Sequence, residues 1–191
     1  MKAIGGIGLA ATVALTLSAY TRVTVAQGTT SAVDSTQPKP VVDATWLKVT
    51  HKGKRAEFQL IAGLTGLNGA LNFNGFRDGG LTLAVPKGWH VALYFRNNDG
   101  MMPHSAEVIP DAATLPAGPV PPAFDRAFSA RLAEGIAPQG TDSVTFVADK
   151  PGSYIIDCAV PGHATQGMWI RFSVAEKGRL VEPKMVVTPG P

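Results

Sequence analysis

The only cysteine of the chain, Cys158, is followed by His163 and Met168 in Asp157-Cys-Ala-Val-Pro-Gly-His-Ala-Thr-Gln-Gly-Met-Trp169. A thiolate, an imidazole and a thioether on one loop supply three of the four ligands of a mononuclear copper site, provided that a second histidine comes from elsewhere. His104, in Met-Met-Pro-His-Ser, is the candidate. The thiolate and two imidazoles form a trigonal set, which a weak axial methionine completes. Soft sulfur favours Cu(I) while imidazole serves both oxidation states, so a rigid site of this kind suits one-electron exchange. With 4 histidines and 5 methionines in 191 residues, this spacing after a cysteine arises by chance roughly once in 1,800 trials. The spacing is therefore fairly specific.

Such ligands have to be carried into a domain by elements with a defined inner face. Short apolar runs divided by Gly, Pro, Asn and Asp predict strands over 45–50, 56–61, 70–73, 81–85, 89–96, 104–109, 143–148, 153–158 and 168–174. Turn signals at Pro86-Lys-Gly88, Asn97-Asn-Asp-Gly100 and Asp149-Lys-Pro-Gly152 separate them. The 21 glycines, 15 prolines and only 16% charged residues suit the same turn-rich, all-β sandwich. Strand alternation puts Tyr154, Ile156 and Cys158 on one face and Asp157 on the other. Met168, Ile170, Phe172 and Val174 share a face, with Arg171 and Ser173 opposite. His104, Ala106 and Val108 share a face, with Ser105 and Glu107 opposite. Three proposed ligands thus begin or end apolar, core-facing rows. Pro161-Gly162 allows a tight turn before His163, and Gly167 lets the chain bend back before Met168.

The exception is a Pro/Ala-rich insertion over 110–140. Within it, 122–134 is expected to form one short helix, with Phe124, Phe128 and Leu132 on a stripe that covers the core. Around the ligands, Ser105 is placed to reach the cysteine sulfur through its hydroxyl or its backbone N–H, which would tune the metal. Met101, Met102, Pro103, Ala164 and Trp169 are expected to form an apolar rim beside an exposed edge of His163, where a redox partner would dock. His90, opposite Trp89, Val91 and Leu93, and His51, in the charged turn His-Lys-Gly-Lys-Arg55, are expected at the surface and not at a metal.

The N-terminus reads as an export signal over residues 1–26: Lys2, an apolar stretch over 3–19, then small residues at Thr24-Val-Ala26. The rival reading is an uncleaved anchor, which would bring membrane contact. Residues 27–42 read as a polar linker and 43–191 as the folded domain with a C-terminal tail. Lys2 and Arg22 lie in the signal, so the rest carries 15 basic against 14 acidic residues. No basic patch stands out, which argues against nucleic acid. An unpaired cysteine in an exported chain calls for a role such as metal ligation. No feature calls for a second copy, and a monomer is expected.

The segments Phe73-Asn-Gly75, Val85-Pro-Lys-Gly-Trp89, Pro103-His-Ser105 and Cys158-Ala-Val-Pro-Gly-His-Ala-Thr-Gln-Gly-Met-Trp169 resemble the blue copper proteins (cupredoxins). The chain looks most like the sulfocyanins, with rusticyanin-like ligand spacing, over roughly 70–175. The resemblance implies a Greek-key β-sandwich with one type 1 copper at one end, held by His104, Cys158, His163 and Met168. It also implies electron transfer in an extracytoplasmic, periplasmic setting, with a terminal oxidase or a cytochrome as partner. Sulfocyanins are often held by an N-terminal membrane anchor, whereas this chain offers a cleavage site.

Three rivals share parts of this pattern. A copper enzyme would need further histidines for a catalytic copper, one of them beside the cysteine, but Asp157 and Ala159 flank Cys158. A binuclear copper module would need a second cysteine. An exported copper store or chaperone would use the same soft ligands without needing the trigonal geometry, and is the alternative that stays open.

Overall fold

The computed structural model describes residues 40–189, and the expected signal and most of the expected linker lie outside them. Among the described residues the chain forms nine strands: β1 (Leu47–Thr50), β2 (Arg55–Ala62), β3 (Leu81–Pro86), β4 (Trp89–Asn97), β5 (Glu107–Pro110), β6 (Thr141–Ala148), β7 (Gly152–Asp157), β8 (Trp169–Ala175) and β9 (Lys184–Val187). One sheet runs β1-β2-β4-β6 and the other β5-β7-β8-β3-β9. Most neighbours are antiparallel, whereas β2/β4 and β3/β8 are parallel. This is an all-β, cupredoxin-type sandwich. Among the described residues no helix is long and apolar enough to cross a membrane.

Alternation explains how the two sheets close on each other. Phe58 and Leu60 of β2, Leu93 and Phe95 of β4, and Phe146 of β6 meet Leu83 of β3, Ile156 of β7, and Ile170 and Phe172 of β8 in one buried cluster. Phe124 joins it from the insertion, stacked on Phe146 at 5.2 Å between ring centroids and tilted on Tyr154 at 4.7 Å. Burying each such side chain contributes about 1.5–3 kcal/mol. Tyr154, Ile156, Cys158, Met168, Ile170, Phe172 and Val174 all lie in this cluster, as their register requires. The ligand rows of the second sheet are therefore anchored by core packing.

Four local expectations fail. No helix forms over 122–134. Arg126 and Arg131 adopt positive φ, at 56° and 54°, which interrupts any helical run. The segment hydrogen-bonds instead to the free edge of β5. Val108 N–H donates to Ala127 O, Ala123 N–H to Val108 O, and Ser129 N–H to Ala106 O. Phe124 is buried but Phe128 is exposed, so the stripe does not exist as a face. The insertion does cover the core, as an irregular flap along β5.

The expected strand at 70–73 is also absent. A 3-10 turn at Leu67–Ala70 precedes it, and only Phe73 makes bridges, to Ala62 and Phe76. Asparagine side chains take over from a backbone ladder here. Asn74 Oδ1 accepts from Ile61 N–H at 3.0 Å, and its amide donates to Gln59 O at 2.8 Å. Conversely, β9 forms within what reads as a tail, pairing Met185 with Leu83 of β3. The strand over 104–109 starts later than expected, at Glu107, with His104 held by an isolated bridge to Ile136.

Candidate metal centre

Cys158 follows β7 directly and Met168 precedes β8 directly, so both ends of the ligand loop are fixed by paired strands. Cys158 N–H donates to Met168 O at 3.1 Å, and Met168 N–H to His163 O at 3.1 Å. Between them a 3-10 turn at Ala164–Gln166 ends on Gly167, whose φ is 96°. A Cβ at Gly167 would come within 2.6 Å of an Asp78 carboxylate oxygen, so glycine is required there twice over.

Cys158 Sγ lies 3.4 Å from His163 Nδ1 and 3.9 Å from His104 Nδ1. All the donor atoms of these three residues lie within 4.8 Å of one another. A metal about 2.0 Å from imidazole nitrogen and about 2.3 Å from thiolate, zinc's distances serving as the guide, would at trigonal angles hold N and S about 3.7 Å apart. The observed pair brackets that value, so the donor set fits a trigonal metal. Cys158, His104 and Met168 are wholly buried while His163 is half-buried, which leaves one ligand edge toward the surface. Among the described residues this is the one cluster of three or more such side chains. His51 and His90 are exposed and far from it in the fold, at the turn before β2 and the start of β4.

Burial sets the protonation of these groups. It pushes the Cys158 thiol up to about 11, only partly relieved by the Ser105 N–H, so copper must displace a proton on binding. Burial, helped by the neighbouring His104, brings His163 down to about 4, which keeps its lone pair available in mild acid. Burial likewise lowers His104, against the pull of Asp99.

Ser105 acts as its position suggests. Its backbone N–H donates to Cys158 Sγ at 3.3 Å. Its hydroxyl, 3.8 Å from the sulfur, instead donates to Leu132 O at 2.8 Å and accepts from Ala159 N–H at 3.1 Å. The insertion thus reaches the site. It does so twice more: Gly162 N–H donates to Ala117 O, and His104 and Ile136 exchange both backbone hydrogen bonds. A Cβ at Gly135 would come within 2.9 Å of His104 N and Pro103 Cβ, so the flap packs backbone to backbone on the first histidine.

The expected rim is only partly realised. Met101 is 84% exposed, and Met102 and Pro103 are half-buried on the loop that carries His104. Ala164 is buried beside His163. Trp169 does not belong to this rim. Alternation from Met168 turns it to the outer face of the second sheet, where it packs with Ile109 and Ile155 and under the Arg171 guanidinium.

Sequence reasoning also missed Asp99. Its carboxylate accepts from His104 Nε2 at 3.1 Å and is almost fully buried. Burial raises its pKa, but hydrogen bonds from Met101, His104 and Met102 outweigh that and hold it below the usual carboxylate range. The only sequence signal is an acid five residues before a candidate ligand, inside a segment that reads as an ordinary turn.

A buried cysteine between two imidazole nitrogens, with a methionine at the same end of a two-sheet β-sandwich, defines a blue copper protein of the cupredoxin class. The sequence matches the sulfocyanin (SoxE) domain over residues 43–183, and the chain belongs to that family. The cofactor of this class is one type 1 copper, and its members are in general electron-transfer proteins. A rusticyanin variant aligns with a TM-score of 0.52 at 21% identity, covering 68% of this chain and 86% of that one. Reduced rusticyanin aligns at 0.51 and 21%, covering 68% and 88%. At this identity the likeness concerns the fold. Auracyanin A, a blue copper protein from Chloroflexus aurantiacus, aligns at 0.46 and 22%, covering 63% and 99%. No curated protein sequence matches the chain.

Proposed function

We propose that this chain is a one-electron carrier in which His104, Cys158, His163 and Met168 would hold one copper ion. The observation that supports this most is the convergence of one sulfur and two imidazole Nδ1 atoms in a buried, braced pocket. Copper bound there would supply a one-electron Cu(I)/Cu(II) couple. The chain's own contacts brace the ligands. Ser105 N–H steadies the sulfur, Asp99 steadies His104, and the Cys158–Met168–His163 backbone bonds steady the loop. No substrate bond is made or broken. Loading with Cu(II) should give an intense blue thiolate-to-copper band that a one-electron reductant bleaches reversibly. A colourless copper-loaded protein would point instead to a copper store or chaperone.

The wider reading is an exported, periplasmic or otherwise extracytoplasmic carrier of a respiratory chain, with a terminal oxidase or cytochrome as partner. The export-type N-terminus and the family membership support it. The half-buried edge of His163, with Met101, Met102 and Pro103 nearby in the fold's copper end, is the surface where such a partner would sit. Met101→Lys is expected to slow electron transfer to the native partner by roughly tenfold, the effect of about 1.4 kcal/mol at an interface. The blue band and the potential should stay as they are. Unchanged transfer in stopped-flow mixing would remove Met101 from the docking surface.

A further inference from the structure

We infer that Asp99 is the positioning residue that fixes His104 in its metal-binding tautomer and holds the reduction potential down; this rests on the copper reading above. Three donors converge on its carboxylate. Met101 and Met102 N–H donate to Oδ1 at 2.8 and 3.2 Å, and His104 Nε2–H donates to Oδ2 at 3.1 Å. A carboxylate can only accept, so Nε2 must carry the proton and Nδ1 must present its lone pair. That Nδ1 is the atom facing Cys158 Sγ.

The carboxylate cannot turn away. Asp99 N–H donates to Asn97 Oδ1 at 2.9 Å, and Asn97 in turn donates to Met102 O and Ile136 O, both at 2.9 Å. Gln139 donates to Asp99 O at 3.1 Å. On the remaining side the backbone of Gly63 lies so close that a Cβ there would meet Asp99 at 3.1 Å. A negative charge held behind a ligand in a dry site favours the more positive oxidation state, Cu(II), and so lowers the potential.

Asp99→Asn separates this role from simple packing, because it keeps shape and removes one acceptor. With its oxygen on the two amide N–H groups, the new NH2 faces His104 Nε2. In copper-free protein labelled with 15N-histidine, NMR should show His104 moving from the Nε2–H to the Nδ1–H tautomer. In the copper-loaded protein, affinity for Cu(II) should fall about tenfold relative to Cu(I), a rise of about 59 mV in potential. Asp99→Ser is the second variant. Its hydroxyl can still accept from the turn, but no oxygen reaches His104, and the same rise is expected. A folded variant of either kind with the wild-type potential and the wild-type tautomer overturns the inference. Failure of the wild-type protein to give the blue band would strike the copper reading itself, while the copper-free tautomer shift would still be measurable.

Discussion

Replacing Cys158 with serine should abolish the blue band and weaken copper binding by more than the ~10–100-fold that loss of an outer hydrogen-bond partner costs. The band needs sulfur, and the serine hydroxyl cannot be deprotonated by copper as the thiol can. The thermal shift that copper gives should vanish too. A ligand present at about 1,000 times its Kd stabilises the folded state by about 4 kcal/mol, and that linkage disappears with affinity. Folding of the metal-free chain should survive, because the serine oxygen fits where sulfur sits and the Ser105 and Met168 backbone contacts remain. Met168→Leu should behave oppositely. The side chain is fully buried, and a volume-conserving swap usually costs under about 1.5 kcal/mol. Copper should stay bound and the potential should rise, because a weak axial donor favouring Cu(II) is gone. Retention of the band by Cys158→Ser, or complete loss of metal from Met168→Leu, would each refute the assigned ligand roles. Optical titration with copper and a redox titration of both variants decide the matter.

The contrast between these residues and Asp99 shows where the sequence is legible. Cys158, Met168 and the apolar rows beside them obey a period of two, so their inner facing can be counted off. His104 needs only to begin such a row. Asp99 obeys no period. Its role depends on a turn that folds its carboxylate back over a residue five positions on, and a turn composition says only that the chain bends. The insertion departs from its helical spacing for a related reason. Phe124, Phe128 and Leu132 have helical spacing, but the carbonyls and N–H groups at the open edge of β5 offer the segment better partners than its own. Alternation also says that Glu107 and Asp157 face away from the core, which is correct. It cannot say that Val120 and its neighbours then close over them, so this outer face is dry.

That dry face makes stability rise as pH falls from about 8 toward about 6. Glu107 and Asp157 are paired across β5 and β7 and are both fully buried. Glu107 has one hydrogen bond, from Val120 N–H, and among the described residues Asp157's two carboxylate oxygens have none. Burial pushes Glu107 up to about 7. Burial, with the Glu107 charge beside it, pushes Asp157 up to about 8. In the unfolded chain both return to ordinary values, 4.5 and 3.8. Between those limits the folded state binds more protons than the unfolded one. Stability is therefore fully present below the unfolded values and is lost as pH rises through 7 and 8, by up to ~1.4 kcal/mol per pH unit for each group. In copper-free protein Cys158, near 11, stays protonated throughout. Burial, however, lowers His163 to about 4 and holds His104 below its ordinary 6.5. Below about 6.5 the unfolded chain therefore gains protons on these histidines that the folded one does not, which offsets the two carboxylates. In stronger acid the sign reverses outright, since Asp99 also has a lowered pKa and its hydrogen bonds fail on protonation. Denaturant unfolding of the copper-free protein at pH 8, 7 and 6 should show the rise on acidification. Glu107→Gln should flatten it by removing one titrating group and relieving the charge that raises Asp157. A wild-type pH slope in Glu107→Gln would mean that the pair is not its source.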